Sequence, residues 1–276
     1  MFKTRLLSGI VLVVVLIATV GIGGYLLLGV LGVLSLIGLR ELYQTCNVEK
    51  SIGITGYFAA ALWYLLLITV SARGMMSNVT QYMMPLIIFF LVAVMAVYVF
   101  SFPAFRSEQV TMVFFGFLYV AVMLSYVYQT RELPGGNVIV WLIFLSSWGC
   151  DTCAYCVGML LGKHKMAPKL SPKKSVEGGI GGIAGAALLG ALFALGANHF
   201  VDASANPLHY ALICGVGGMI SQIGDLAASA IKRNHDIKDY GHLIPGHGGV
   251  LDRFDSVIFT APVIYYLASA FASNII

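Results

Sequence analysis

Asp225, Ser229 and Lys232 stand at i, i+4 and i+7 in the segment GDLAASAIKR, residues 224–233. On an α-helix that spacing puts all three on one stripe. The carboxylate then lies roughly 10 Å from the lysine along the axis, at 1.5 Å rise per residue. A carboxylate inside an apolar segment is expensive and normally faces a cavity, a cation or a partner. It is either a functional acid or half of a buried ion pair with a lysine or arginine. A second group follows in IPGHGGVLDRFD, residues 244–255. Asp252 and Asp255, three apart at a helix start, face one way, and oxygen donors of this kind suit Mg²⁺. The plainer reading is a turn with Asp255 as an N-cap. It leaves the Pro-Gly-His-Gly-Gly run and the Asp252-Arg253 pair unexplained. Glycine has no Cβ, so Gly248 and Gly249 beside His247 let backbone approach a ligand closely.

A third group is basic. Residues 162–182 carry Lys163, Lys165, Lys169, Lys173 and Lys174 against Glu177 alone. Such a loop could bind anionic headgroups non-specifically, at about 1 kcal/mol per cation, or grip a triphosphate. The compact SPKKSVEGG is the more specific part. Ser171, Lys173, Lys174 and Ser175 supply donors, and glycines open a helix whose N-terminal amides attract phosphate. The loop 232–255 is formally neutral, with Lys232, Arg233, Lys238 and Arg253 set against Asp236, Asp239, Asp252 and Asp255. If some carboxylates hold a divalent metal, the cations are free for phosphate.

The surrounding chain decides where these groups sit. It has 276 residues, 59% hydrophobic and only 10% charged, with a mean hydropathy of +0.90. Runs such as VLVVVLIATV do not alternate as barrel strands would. The expected fold is therefore all-α, a polytopic membrane bundle with about nine spans. They fall near 6–21, 23–39, 53–71, 82–102, 110–128, 137–162, 179–198, 208–231 and 256–274. The sixth contains Gly149 and Asp151 and is expected to break or tilt. The first could pass for a signal peptide but lacks a small-residue cleavage site, so an uncleaved span is expected. With nine spans, only Arg73 and Arg131 of the 16 cations fall opposite the N-terminus, so the polar loops are read as cytoplasmic. We expect one membrane domain, with residues 1–135 as scaffold and lipid groove. Residues 136–276 carry the chemistry on loops 163–178 and 232–255.

Several other motifs do not hold. GMLLGKH (158–164) has three residues between its glycines, no Ser or Thr after the lysine and no preceding strand, so it is no P-loop. Cys150, Cys153 and Cys156 lack the fourth ligand and exposed loop of an iron–sulfur or zinc site. The five cysteines suggest no disulfide framework. Small residues at 178, 182 and 186, and at 181 and 185, follow the small-xxx-small pattern of helix packing.

Taken together these residues resemble the phosphatidate cytidylyltransferase (CDP-diacylglycerol synthase) family. Its signature is Ser-x-x-Lys-Arg, four residues, Lys-Asp, then Pro-Gly-His-Gly-Gly, two residues and Asp-Arg-x-Asp. SAIKRNHDIKDYGHLIPGHGGVLDRFD, 229–255, matches every fixed position. WGCDTCAY (148–155), SPKKSVEGGIGG (171–182) and GDLAAS (224–229) extend the likeness over roughly 148–256. Ser175 stands where the family commonly has threonine, Val176 where tryptophan is frequent and Ala228 where glutamate is frequent.

The resemblance implies transfer of CMP from CTP to phosphatidic acid by an enzyme of the plasma (inner) membrane, with its site facing the cytoplasm. It implies that Asp225 and Asp252 hold Mg²⁺, with Asp255 and Asp151 as further candidate ligands and room for a second cation such as K⁺. Lys232, Arg233 and Arg253, with Lys173 and Lys174, would neutralise phosphates. Ser171, Ser175, Ser229, Lys238, His247, Gly248 and Gly249 would line the substrate site. Expected partners are CTP, phosphatidic acid, membrane lipids and a second copy in a homodimer, with no nucleic acid. Two alternatives stay open: a CTP-dependent transferase acting on another lipid phosphate or a polyprenol, and an ion-coupled transporter using Asp151 and Asp225. A transporter should show paired interrupted spans in its halves, whereas these acids cluster in one half.

Overall fold

The computed structural model describes residues 2–76, 79–201, 203–246 and 248–273; His247 lies outside them. Nine helices occur among these residues: α1 (Phe2–Ile22), α2 (Gly24–Thr45), α3 (Lys50–Ala72), α4 (Val79–Phe100), α5 (Ser107–Arg131), α6 (Gly136–Leu161), α7 (Val176–Val201), α8 (Pro207–Asn234) and α9 (Leu251–Ser273). Eight are long and apolar enough to cross a membrane, and Ser8–Ile22 of α1 forms a shorter apolar helix. Large apolar side chains such as Phe58, Phe89 and Val92 are exposed, as lipid-facing positions should be. The chain is an all-α polytopic membrane protein with one small hairpin, β1 (Lys165–Ala167) against β2 (Ser171–Ser175), antiparallel.

Packing divides the chain into two units. The first comprises Met1–Tyr128 and Asp239–Asp252; the second comprises Gln129–Lys238 and Arg253–Ile276. The sequence reading kept all of 232–255 with the C-terminal half. By packing, Asp239–Asp252 joins the N-terminal helices instead.

In the first unit, α2, α3 and α5 surround a core of Leu39, Leu42, Ile52, Trp63, Val113 and Phe117. Two of its polar side chains show the pairing that burial favours. Trp63 Nε1 donates to Ser125 Oγ at 3.0 Å, and Tyr43 Oη donates to the Val113 carbonyl at 2.9 Å. The Tyr43 ring lies against Gly56 and Gly116, where any side chain would strike it. Two adjacent positive-φ glycines, Gly23 and Gly24, end α1 and restart the chain as α2.

In the second unit, α7 packs on both α6 and α8. The small residues identified in the sequence make that contact: Gly182 lies on Cys150 and Ala154, Gly185 on Cys153, and Ala186 beside Gly218. These faces are therefore used within the chain. All five cysteines are free. The sixth span is one helical stretch that passes through a π-helical turn, Leu145–Gly149, just before Asp151. Widened turns of this kind re-aim the residues after them and are frequent at functional sites.

Two boundaries differ from expectation. Helix α7 starts at Val176 and not at 179, because the lysine loop folds into the hairpin and delivers Ser175 as a cap: its Oγ accepts the Gly178 amide at 3.1 Å. Helix α9 starts at Leu251 and not at 256, so Asp252 and Asp255 both lie inside it.

Candidate active site

Helix α8 carries the predicted stripe and extends it. Asn206 caps its start, accepting the Leu208 and His209 amides at 2.9 and 3.5 Å, with Pro207 at the first helical position. From there an unbroken helix sets Gly218, Gln222, Asp225, Ser229 and Lys232 at successive i+4 and i+3 steps along one face.

Asp225 takes part in an ion pair: its Oδ2 accepts from Lys174 Nζ, delivered by β2. Both side chains are 25% exposed, so the pair is neither sealed in the core nor fully hydrated. The ion pair of the plainer sequence reading is thus present. Asp225 and Lys174 also line a cavity of about 550 Å³ in the second unit, together with Asp151, Lys173, Ser175 and Gln222. Its remaining walls include Tyr155, Met159 and Met166. The walls of this cavity thus combine lysines and carboxylates with apolar side chains and one amide.

Further charges gather within the same unit. Asp151, Asp225 and Asp255 lie within electrostatic reach of one another, Lys174 and Arg253 act on Asp151, and Lys232 acts on Asp255. Asp255 and Lys232 are buried. Asp255 is therefore not the N-cap of the plainer sequence reading; it is the fifth residue of α9, and its Oδ1 accepts the Ser256 amide at 2.7 Å. The backbone around Arg253 is fixed by Trp148, whose Nε1 donates to the Arg253 carbonyl at 3.4 Å. Arg253 Nε is buried and, among the described residues, finds no acceptor. A buried cationic donor left unpaired costs about 1–3 kcal/mol or more, which an incoming anion would relieve. Among the described residues, no three acidic, histidine or cysteine side chains converge to ligating distance of one point. The carboxylates are gathered without touching.

In the first unit the glycine-rich loop is held by two buried carboxylates. Asp252 Oδ2 accepts the amides of Tyr240 at 2.8 Å and Gly249 at 2.9 Å. Glu41 of α2 accepts those of Val250 at 3.0 Å and Leu251 at 2.8 Å. These are among the unsatisfied donors of a helix N-terminus, here met by a residue of another helix. Gly246 and Gly248 hold positive φ, at 77° and 85°, which L side chains rarely adopt. A Cβ on Gly248 would run into Asp252 Oδ2 at 2.8 Å, and one on Gly249 into Glu41. The glycines of GHGG are thus needed to let backbone reach carboxylates of this chain.

The other predicted residues are distributed as follows. Lys173 is exposed at the cavity, whereas Ser171, Ser229 and Lys238 are not among its lining residues. Arg233 is exposed and its Nη1 donates to the Ile237 carbonyl at 2.7 Å, closing the end of α8. Ser175 lines the cavity, but its hydroxyl caps α7. Sequence reasoning missed Glu41, Glu177 and Gln222. Glu177 anchors the hairpin to α7, accepting the Lys163 amide at 3.1 Å and the His164 amide at 3.2 Å, and pairing with His164 Nδ1 at 2.5 Å. Glu41 could have been found as an acid within the apolar GLRELYQT, and Gln222 as an amide one turn before Asp225.

The model of the "Cytidylyltransferase family" matches residues 3–271. A phosphatidate cytidylyltransferase of Staphylococcus haemolyticus is 33% identical over 265 residues, covering 96% of this chain and 98% of that protein. Proteins of the same name from Staphylococcus epidermidis and Staphylococcus aureus are 34% and 32% identical over the same shares. This multi-pass membrane chain, with its acidic and cationic cluster in the second unit, therefore belongs to the cytidylyltransferase family.

Proposed function

We propose that the chain is a phosphatidate cytidylyltransferase, which transfers CMP from CTP to phosphatidic acid and releases pyrophosphate. The observation that carries this reading is the charge cluster of the second unit. Three carboxylates alternate there with Lys174, Lys232 and an Arg253 whose Nε lacks an acceptor among the described residues. The name shared by whole-length relatives supports the choice of substrates.

In the reaction, a phosphate oxygen of the lipid attacks the α-phosphorus of CTP. A P–O–P bond forms as the α–β anhydride bond breaks, and pyrophosphate departs with the electron pair. Both reactants are anions, so the protein must neutralise charge and hold them in line. Arg253 and Lys173 supply fixed and mobile positive charge, and Lys174 does so as phosphate competes with Asp225 for its ammonium. A phosphate monoester is ionised near neutral pH, so no general base is required.

The donor set fits a hard cation: the acids are carboxylates, and Mg²⁺ takes one or two such ligands with phosphates and water completing its shell. Asp225 and Asp255, with Asp151, would hold it, and Asp252 belongs to the proposed set by its place in the motif. Held there, Mg²⁺ would supply positive charge to the reacting phosphates; a second cation such as K⁺ belongs to the same proposal. The same proposal puts the site at the cytoplasmic face of the plasma membrane and has the chain work as a homodimer. Light scattering in detergent tests the latter.

Purified protein in detergent or nanodiscs, given labelled CTP, should convert phosphatidic acid and release pyrophosphate only with a divalent cation. Undiminished turnover in excess chelator would remove the metal assignment. Transfer to a polyprenyl phosphate in preference to phosphatidic acid would favour the other lipid-linked reading.

A further inference from the structure

The cavity contains one polar group that phosphate chemistry does not use. Gln222 is 8% exposed, and its amide is oriented by its neighbours. Nε2 donates to the Gly179 carbonyl at 2.8 Å and contacts Cys150 Sγ at 3.4 Å, while that thiol donates to the Gly218 carbonyl at 3.4 Å. The Gly179 carbonyl can only accept, so the NH₂ must face it. Oε1 is thereby turned the other way, and among the described residues it accepts no hydrogen bond. It lies beside the Cα of Gly179, where a Cβ would approach it to 2.9 Å and would also collide with the Met166 methyl. Tyr155, Met159 and Met166 form the apolar part of the same cavity.

A lone acceptor in an apolar recess, one helical turn from the acid at the phosphate end, selects a flat apolar group that carries an N–H donor. A fully ionised phosphate is disfavoured there, since it has no proton to give. Resting on the CTP-dependent reading above, we propose that Gln222 is a specificity-determining residue whose Oε1 accepts from the exocyclic 4-amino group of cytosine. Uracil presents a carbonyl oxygen at that position. It would set two acceptors face to face and leave the buried Gln222 oxygen unsatisfied. Sites built around such a hydrogen bond discriminate far more strongly than sites that sense only shape. Gly179 leaves room for Oε1 and the Met166 methyl to lie side by side, and Cys150 fixes the amide from behind.

The test compares kcat/KM for CTP, UTP, dCTP and the CTP analogue in which hydrogen replaces the 4-amino group. Wild type should prefer CTP over UTP by about 100-fold or more. Gln222→Met should bring that ratio to within about tenfold, chiefly through a higher KM for CTP, and leave the CTP-to-dCTP ratio unchanged. The amino-lacking analogue should cost wild type about as much as Gln222→Met costs with CTP, and the two losses should not add. If Gln222→Met does not accumulate, Gly179→Ala, which intrudes on the same oxygen, should narrow the ratio likewise. Equal use of CTP and the analogue by wild type would overturn the assignment. So would a wild-type CTP-to-UTP ratio in a folded Gln222→Met protein, or a changed dCTP ratio, which would place the ribose there. Failure of wild type to use CTP with any lipid phosphate would instead overturn the proposed function itself.

Discussion

Glu41 and Leu251 are 210 positions apart in sequence, and Glu41 Oε2 accepts the Leu251 amide at 2.8 Å. With Oε1 on Val250, one carboxylate of α2 finishes the N-terminus of α9 and fixes the end of the glycine-rich loop. The negative charge also sits where the helix dipole favours it. Glu41→Gln keeps the shape but turns an NH₂ toward a backbone donor. The expected loss is about 1–3 kcal/mol, read as a lower unfolding temperature in detergent together with reduced turnover. Glu41→Ala, which leaves both amides unpaired, should be worse. A Glu41→Gln protein with unchanged melting and unchanged turnover would show that the contact does not position the loop.

Asp225 and Lys174 invite a charge-reversal test. A purely structural pair is restored by exchanging its members, whereas a pair that also handles phosphate and metal is not. Asp225→Asn and Lys174→Met should each reduce turnover by at least about 10²-fold, the scale of losing one preorganised electrostatic group. At 25% exposure the pair itself is worth only about 1 kcal/mol, so both variants should stay folded. The exchanged double variant should recover stability without recovering activity. Recovery of activity would make the pair a scaffold.

Asp255 is buried beside Asp225 and Asp151 in a field of like charge, offset by Lys232. Three carboxylates this close, one of them buried, are awkward for an empty site even with Lys174, Lys232 and Arg253 near them, and suitable for one that takes a divalent ion. Asp255→Asn removes one like charge. It should raise melting temperature slightly without Mg²⁺ and reduce the further rise that Mg²⁺ produces, since ligand binding to the folded state stabilises it in proportion to affinity. An equal Mg²⁺-induced shift in Asp255→Asn and wild type would take Asp255 out of the metal set.

Much of this was legible in the chain itself, and the reasons differ by residue. The helices follow from runs too long and too apolar for anything else, and the stripe at 225, 229 and 232 from helical spacing alone. The hairpin at 165–175 was not legible. Its lysines and prolines carry no alternating apolar pattern, and it is held by a glutamate of α7 and not by its own side chains. The placement of Asp252 was half legible: the motif marks it out, but its bonds to Tyr240 and Gly249 depend on how the loop folds back. Glu41 was missed because its partners lie at the far end of the chain, a separation no local pattern spans.

The packing of α7 against α6 gives a prediction independent of chemistry. Gly182 stands where a Cβ would meet the Ala154 methyl at 2.8 Å and the Cys150 carbonyl oxygen at 2.9 Å. Backbone oxygen cannot move aside as a flexible side chain can, so a larger residue must push the helices apart. Small residues allow close approach in a membrane, where lipid offers no hydrophobic force to compensate for lost contact. Gly182→Val should therefore cost about 1–3 kcal/mol through overpacking and lower both yield and melting temperature. Gly196, with nothing within 4 Å of its Cβ position, is the control on the same helix. There Gly→Ala should be neutral or stabilising by up to about 1 kcal/mol, because alanine is the better helix former. Equal melting temperatures for Gly182→Val and Gly196→Ala would mean that α7 does not lie on α6 as described.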